Sequence, residues 1–293
     1  MAERFYIPYT PEGDVAILEG AESHHLARVM RAKQGDRLIL FDGTGVEYQA
    51  EIEEIGKRET TLRILERDTP DRELPFELTL GAPLPKGDRQ RWLIEKLTEL
   101  GCTRFTPLTT ERSVARPNEK SIEKLRRYVI EATKQCRRTR LMEIAEPMSW
   151  ADWIASPPDG SLQLIAHPVE KKGTGSSGAQ LQRACPPFSV GDASTGKRGT
   201  DASGALSQSR YTSQTEKVDR HVEYSEPVPF SSCSRFITLG PEGGFTSDEV
   251  KTARAKGWKM IDLGPRILRL ETAAVVLVTL ACEGEFRVES SES

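Results

Sequence analysis

Short apolar segments alternate with helical patterns from residue 76 to residue 282, and this alternation restricts the fold more than any other feature of the sequence. Strands are predicted at residues 76–81, 104–108, 162–166, 235–239 and 258–263. Helices are predicted at residues 88–100, 121–136, 246–257 and 273–282, with Ser121 as the cap of the second and Thr246 and Glu249 at capping-box spacing in the third. Strands that alternate with helices form a mostly parallel sheet, because parallel strands need crossover connections. The sequence therefore predicts an α/β domain over residues 73–288.

The first 72 residues show strands with little helix. A strand and glycine turn at residues 36–45 precede a period-two alternation at residues 46–52, which predicts a hairpin. Residues 60–66 alternate in the same way, and a short helical pattern covers residues 23–31. A polar, proline-bounded joint follows from residue 69. We predict a small β-barrel over residues 1–72 that precedes the α/β domain.

One long segment of the second domain lacks both periodicities. Roughly a quarter of residues 171–231 are glycine or serine, and apolar residues are sparse. A segment of this composition buries too little apolar surface to offset the entropy of ordering its chain. We predict a disordered insertion at residues 171–231.

The overall charge conceals a basic region. The 293 residues carry a formal net charge of −3, yet residues 84–141 contain 15 basic and 7 acidic side chains. Lysine and arginine supply most of the affinity of proteins for nucleic-acid phosphates. One face of the second domain is therefore predicted to bind RNA.

Several classes of protein are disfavoured by what the sequence lacks. No segment approaches the roughly 20 apolar residues that span a bilayer, and the start has no long apolar run of the signal-peptide type. We therefore expect a cytoplasmic protein without a membrane partner. The five cysteines form no C-x-x-C pair, and the four histidines no H-E-x-x-H motif. Neither a disulfide framework nor a metal site is predicted.

Two loops carry the strongest signal for ligand binding. Residues 240–244 and 263–269 each follow a predicted strand, precede a helix and contain a Gly-Pro pair. Ligands of parallel sheets bind beyond the carboxyl ends of the strands, and glycine lets a ligand approach the backbone closely. Neither loop matches G-x-x-x-x-G-K-[ST] or G-x-G-x-x-G. A kinase, a P-loop ATPase and an ordinary Rossmann dehydrogenase are therefore disfavoured.

These loops resemble a known signature. Gly240-Pro-Glu-Gly-Gly, Leu263-Gly-Pro-Arg-Ile-Leu-Arg and Glu271-Thr-Ala are similar to motifs of the RsmE-type methyltransferases of the SPOUT superfamily. Arg4-Phe-Tyr and Lys96-Leu-Thr-Glu-Leu-Gly also occur in the order of that family. The resemblance implies a PUA-like RNA-binding barrel followed by a SPOUT domain whose C-terminal segment forms a trefoil knot. It also implies methylation of uridine N3 in 16S (small-subunit) ribosomal RNA, with S-adenosyl-L-methionine as the methyl donor.

The resemblance implies the cofactor-binding residues. They lie in the two loops: Leu239, Gly240, Glu242, Gly243, Gly244, Leu263, Gly264, Ile267, Leu268 and Arg269. Arg269 and Glu271 are candidate catalytic residues, because the N3 proton must leave and the resulting anion needs a cation. An alternative is that Glu271 only favours a helix amino end through the helix dipole.

RNA contacts are predicted at basic residues of both domains, which can fork onto phosphate or base oxygens. These candidates are Arg4, His25, Arg28, Arg31, Arg112, Arg127, Lys134, Arg138 and Arg140. Arg127, Lys134 and Arg138 are spaced by seven and four residues, which predicts a basic face on the helix that begins at residue 121. The almost wholly apolar helix at 273–282 must be covered on nearly all sides, which favours a homodimer. The expected partner is small-subunit ribosomal RNA in an assembled subunit. Alternatives are an RNA-binding ribosome-assembly protein without catalysis, and a SPOUT methyltransferase that acts on another RNA position.

Overall fold

The first sheet contains five strands. A computed structural model describes residues 3–113, 117–167 and 233–283, so the predicted insertion at 171–231 lies outside the described residues. The strands are β1 (Arg4–Tyr6), β2 (Val15–Glu19), β3 (Arg37–Phe41), β4 (Glu47–Ile55) and β5 (Glu59–Asp68). Their order is β1-β3-β4-β5-β2, with β1 parallel to β3 and the other pairs antiparallel. The predicted hairpin is confirmed as β3–β4, whereas β1 and β2 were not predicted.

The core of this sheet follows the alternation of its strands. Ala16 and Leu18 of β2 are buried, and the residues between and around them are exposed. The buried side is closed by α1 (Gly20–His24) and a π-helical turn (His25–Val29), which places Leu26 in the same apolar cluster. The predicted helix at 23–31 therefore exists as two short helical pieces of different type. The chain leaves the sheet at Asp68, and the domain boundary at residue 72 stays a prediction.

The second sheet is parallel, as predicted. Its strands are β6 (Leu78–Ala82), β7 (Arg104–Thr109), β8 (Glu143–Ile144), β9 (Met148–Ser149), β10 (Leu162–Ala166), β11 (Arg235–Leu239) and β12 (Lys259–Ile261). Their order is β12-β10-β11-β6-β7-β8, and β9 pairs with the end of β7. Strands β11 and β12 are thus separated in the sheet by β10 alone. The trefoil knot implied by the resemblance stays a prediction.

Helices cover this sheet and bury its apolar residues. They are α2 (Arg89–Glu99), α3 (Glu119–Cys136), α4 (Trp150–Ala155), α5 (Ser247–Ala255) and α6 (Leu270–Glu283). Leu93 and Leu97 of α2 share a fully buried cluster with Leu277 and Val278 of α6. Within the described residues, no helix is long and apolar enough to cross a membrane.

The helix boundaries correct one expectation and confirm another. We expected Ser121 to begin α3, but Asn118 is the N-cap: its side chain accepts a hydrogen bond from the Ser121 N–H, and the Ser121 hydroxyl oxygen accepts one from the Asn118 N–H. Ser121 was chosen wrongly because a serine at the third helical position completes the same reciprocal pair. The predicted capping box of Thr246 and Glu249 at the start of α5 is confirmed.

Between the two sheets runs a group of charged residues that we call the linker cluster: the buried Arg4, Glu47 and Arg138, the half-buried Glu73 and the exposed Arg72. Arg4 forms an ion pair with Glu47 and donates a hydrogen bond to the Arg138 carbonyl at 2.8 Å. Arg72 donates to Glu47 at 2.7 Å. Arg138 donates to both carboxylate oxygens of Glu73, the shorter contact being 2.6 Å. These contacts join the first sheet, the connecting segment and the end of α3.

The linker cluster contradicts two predicted RNA contacts. Arg4 is 9% exposed and Arg138 is 4% exposed, so neither side chain is available to RNA. Helix α3 ends at Cys136, and Arg137 adopts a left-handed conformation with φ +65°. This turn takes Arg138 off the basic face of α3 and directs its guanidinium to the carbonyls of Thr98 and Cys102, each at 3.0 Å.

The turn after β3 lies against the second domain. The Asp42 carboxylate accepts hydrogen bonds from the side chains of Thr10, Thr44 and Tyr48. Burial acts to raise the pKa of Asp42, but these hydrogen bonds together outweigh it and the pKa lies below its usual value. These hydrogen bonds hold the turn in place. Within the turn, Thr44 forms a β-bridge with Arg140, which follows α3.

Candidate active site

Two loops meet the edge of the second sheet at which its parallel strands end. The first loop, residues 240–246, leaves β11 and enters α5. The second loop, residues 262–269, leaves β12 and enters α6. Both therefore lie beyond carboxyl ends of strands, where a parallel sheet binds its ligands.

The first loop has a tight turn and a buried anchor. Gly244 has φ +67°, and its N–H donates to the Pro241 carbonyl at 2.8 Å. Phe245 is buried, and its ring centroid lies 4.5 Å from that of Trp150 in α4. A side chain at Gly240 would press on Phe245, because an added Cβ atom would lie 3.1 Å from its ring. The loop is thus fixed at both ends and leaves Glu242 and Gly243 exposed.

The second loop exposes more of its chain. Gly264 has φ +102°, which L side chains rarely adopt, and its N–H donates to Asp262 at 2.9 Å. Ile267 and Arg269 are exposed and Leu268 is half-buried. The Arg269 carbonyl accepts the Ala273 N–H at 2.8 Å, which places the loop directly at the start of α6.

Open space borders both loops. A Cβ atom added at Gly244 or at Gly264 would meet no atom of the described residues within 4 Å. The backbone is therefore accessible where the two glycines have positive φ, and a ligand can approach it closely there.

Arg89, at the start of α2, contacts both loop regions. Its Nη1 donates to Glu242 Oε1 of the first loop at 2.8 Å and lies 3.8 Å from Glu271 Oε2 in the first turn of α6. The hydrogen bond with Glu242 raises the pKa of Arg89. One guanidinium group therefore joins the first loop to the start of α6, the helix that the second loop enters. We did not predict Arg89, although it follows the first strand of the second sheet, where the rule used for the other two loops also applies.

Glu271 is the buried carboxylate of the site. It is 7% exposed, and its Oε2 has no hydrogen-bond partner within the described residues. A buried carboxylate without a hydrogen bond is costly. Its presence beside two exposed loops therefore favours a role in binding or chemistry over a purely structural one.

The segment after β7 also contacts the first loop. Arg112 is exposed, and its Nη1 donates to the Gly243 carbonyl at 2.7 Å. The Glu111 N–H donates to Glu249 Oε1 at 3.0 Å, so the capping carboxylate of α5 also holds this segment. Among the predicted RNA-binding residues, Arg112 is the one for which the described contacts include the first loop.

The other predicted RNA-binding residues lie elsewhere on the molecule. His25, Arg28 and Arg31 are exposed at the π-helical turn of the first domain, and Arg31 has φ +56°. Arg140 is exposed beside Gly45 of the turn after β3.

Two predicted cations of α3 have acidic partners. Arg127 is exposed but pairs with Glu123 at 2.6 Å. Lys134 is largely buried, because it forms an ion pair with Glu22 of α1. Lys134 therefore joins the two domains, which its position on the basic face of α3 did not predict.

Metal and thiol chemistry find no support in the described part of the chain. No group of three His, Cys, Asp or Glu side chains is placed to hold a metal ion there. Burial raises the pKa of the Cys102 thiol to about 12, so this cysteine stays protonated near neutral pH.

Comparison with known proteins identifies the family. The model of the RNA methyltransferase domain matches residues 72–186 and 203–282, and that of the RNA methyltransferase PUA domain matches residues 18–65. Ribosomal RNA small subunit methyltransferase E of Rickettsia conorii is 31% identical over 263 residues, covering 87% of this chain and 84% of the relative. The corresponding protein of Synechocystis sp. is 29% identical, covering 88% and 70%.

A solved structure is similar to this chain over almost its whole length. It is a ribosomal RNA small subunit methyltransferase E from Neisseria gonorrhoeae bound to S-adenosyl methionine, with 25% identity and a TM-score of 0.70, covering 95% of this chain and 96% of that one. The fold, the paired loops and these matches lead to one conclusion: the chain belongs to the RNA methyltransferase family that includes ribosomal RNA small subunit methyltransferase E.

Proposed function

We propose that this protein transfers a methyl group from S-adenosyl-L-methionine to N3 of a uridine in small-subunit ribosomal RNA. The observation that carries this proposal is the convergence on Arg89 of the first glycine-containing loop and of the α6 turn that directly follows the second. The relatives are named for methylation of small-subunit ribosomal RNA, and the Neisseria gonorrhoeae structure contains the methyl donor. Their names leave the methylated atom open, so N3 rests on the sequence resemblance and on the carboxylate of this site.

The two loops fit the methyl donor. The open space at Gly244 and Gly264 leaves backbone amides and carbonyls accessible to the adenine and methionine ends. The holding residues would be those predicted from the sequence: Leu239 at the end of β11, Gly240, Glu242, Gly243 and Gly244 of the first loop, and Leu263, Gly264, Ile267, Leu268 and Arg269 of the second. When bound, S-adenosylmethionine supplies an electrophilic methyl group on a sulfonium centre.

Glu271 and Arg269 supply the acid–base part of the reaction. Uridine N3 is a poor nucleophile until its proton leaves, so the site needs a proton acceptor near the methyl group. Glu271 Oε2 accepts no hydrogen bond within the described residues, so it keeps an unused lone pair for the N3 proton. Because Glu271 is 7% exposed, the uridine must displace the groups that cover this carboxylate in order to reach it. Arg269 is exposed two residues before it and can donate to a uracil oxygen as negative charge develops.

RNA recognition is proposed for the exposed cations of both domains. Arg28 and Arg31 on the first domain and Arg112 at the first loop are accessible to phosphates. Arg140 is exposed where the two domains meet, so a single RNA could contact both. We propose an assembled small subunit as the substrate and the cytoplasm as the location, since that is where such subunits are found.

The proposal is tested by binding and product mapping. Calorimetry of the full chain with S-adenosylmethionine should show one saturable site. Assembled small subunits and protein-free ribosomal RNA are then offered in parallel with labelled donor, and we expect methylation at one uridine N3 in the assembled subunit. Absence of binding at millimolar donor would favour an RNA-binding assembly protein. A methyl group on another atom would favour another SPOUT activity.

Gly264→Val tests the placement of the donor. At φ +102° a β-branched residue is strained, which costs about 1–3 kcal/mol if the loop keeps its shape. If the loop changes shape to relieve the strain, donor binding must restore the strained shape. The affinity for the donor should therefore fall by about 10- to 100-fold in calorimetry. The matched control is Gly160→Val, since Gly160 has φ +80° in a turn before β10, away from both loops. Equal donor affinity of the two variants would contradict the placement.

We further propose that the protein acts as a homodimer through α6. Val275, Val276 and Leu280 are only half-buried on this apolar helix, so a second copy would complete their burial. Light scattering should give twice the chain mass of 32.6 kDa. The double variant Val276→Glu, Leu280→Glu should be monomeric, and Leu65→Glu, at an exposed position of the first domain, should remain dimeric. A parent that is monomeric at micromolar concentration would refute the dimer.

A further inference from the structure

Arg89 occupies a position that none of the predicted site residues shares. It lies at the junction of the β6–α2 connection and α2, whereas the two cofactor loops follow β11 and β12. Its single Nη1 atom reaches Glu242 of the first loop at 2.8 Å and Glu271, in the first turn of α6 after the second loop, at 3.8 Å. Three segments that are distant in sequence thus meet at one guanidinium group.

The backbone of Arg89 is held firmly by the surrounding part of α2. One turn further along α2, Leu93 and Ile94 are fully buried in the core of the second domain. The neighbouring Gln90 side chain donates to the Pro85 carbonyl at 2.8 Å, which fastens the start of the helix. A guanidinium that projects from such a helix has a defined position against the two loops.

The two carboxylates differ in how strongly they need Arg89. The Glu242 side chain is 64% exposed, so water can replace the guanidinium there. The Glu271 side chain is 9% exposed, and among the ion pairs of the described residues Arg89 is the cation that faces it. Without Arg89 a buried carboxylate would remain uncompensated beside a second carboxylate of the same sign.

We propose that Arg89 is a positioning residue that sets the relative placement of the two cofactor loops by holding Glu242 and Glu271 together. This inference rests on the proposed function, because it assigns to those loops the donor and the proton acceptor. Arg89 acts through the two glutamates: it keeps Glu271 directed at the uridine proton and keeps Glu242 beside the donor. Small displacements of such groups are enough to reduce catalysis strongly.

The test compares Arg89→Ala with a matched control on the same helix. Arg91→Ala removes the same type of side chain, whose partner is Glu95 at 2.6 Å rather than either loop. Amide hydrogen exchange of the donor-free full chain is measured for peptides covering residues 240–246 and 270–276. We expect faster exchange in both peptides for Arg89→Ala, no change for Arg91→Ala, and an intermediate result for Arg89→Lys, which keeps the charge without the fork.

The catalytic readout follows in the same variants. Arg89→Ala should lower the single-turnover rate at saturating donor by about 10²-fold, with partial recovery in Arg89→Lys. Parent-like exchange in both peptides would overturn the proposal. Faster exchange in one peptide alone would also overturn it, because Arg89 would then not connect Glu242 with Glu271. Faster exchange throughout the chain would overturn it too, because the substitution would then loosen the whole protein. A parent that binds no donor would defeat the proposed function, and hydrogen exchange would still decide the role of Arg89.

Discussion

Glu271→Gln is expected to lower the single-turnover rate of methyl transfer by about 10²- to 10⁴-fold, the usual contribution of a positioned acid or base. The substitution keeps the size of the side chain and removes its ability to accept a proton. Glu271 is buried and its Oε2 has no hydrogen-bond partner in the described part of the chain, whereas the neighbouring Glu242 carboxylate is already hydrogen-bonded to Arg89. Donor binding should change little, because the proposed contacts with the donor come from the loop backbone.

The competing role of Glu271 is a favourable interaction with the amino end of α6. A carboxylate in a first helical turn contributes about 0.3–1 kcal/mol to stability and nothing to the rate of a chemical step. Asp248→Asn is the matched control, since Asp248 lies in the first turn of α5 and is exposed. A methyl-transfer rate within a few-fold of the parent for both variants would assign Glu271 to the helix alone.

Arg138→Ala should destabilise the protein by about 3–5 kcal/mol, the range found when one partner of a buried ion pair is removed. The substitution leaves the Glu73 carboxylate and the carbonyls of Thr98 and Cys102 without their donor in a buried place. Urea denaturation followed by tryptophan fluorescence measures the loss, because all four tryptophans belong to the second domain.

An exposed ion pair of the same domain is the control for this loss. Arg104 pairs with Glu143 at 2.7 Å, and both side chains are at least half exposed. Arg104→Ala should cost no more than about 1 kcal/mol. The loss of stability in Arg138→Lys should fall between the losses in the two alanine variants, because lysine restores the charge without the planar guanidinium fork. Equal losses for Arg138→Ala and Arg104→Ala would show that the linker cluster contributes little to stability.

The parts of this fold that could be predicted are those with a local pattern. Alternation of strands and helices predicted the parallel sheet, and the Thr246–Glu249 spacing predicted the start of α5. The two loops could be identified because a glycine-proline pair after a strand is itself a local signal. Strand β1 escaped prediction, since three residues are too few to show a period and its pairing with β3 is non-local.

The role of individual arginines could not be predicted from spacing. Arg127, Lys134 and Arg138 share a helical spacing, yet the structure leaves the first exposed and buries the third. The difference arises at Arg137, whose left-handed conformation ends α3 one residue before Arg138. Arg89 was missed for a related reason: its partners lie more than 150 residues away in sequence. Which carboxylate an arginine meets is decided by tertiary packing.

The burial of the linker cluster has a consequence for how the protein responds to ionic strength. At physiological salt the Debye length is about 8 Å, so exposed charges are screened, while buried pairs are screened much less. Concentrated salt should therefore weaken the proposed RNA contacts of the exposed Arg28, Arg31 and Arg140, yet leave Arg4 and Arg138 bonded to their carboxylates. The enzyme would leave its substrate with both domains still joined, ready to rebind without rearrangement.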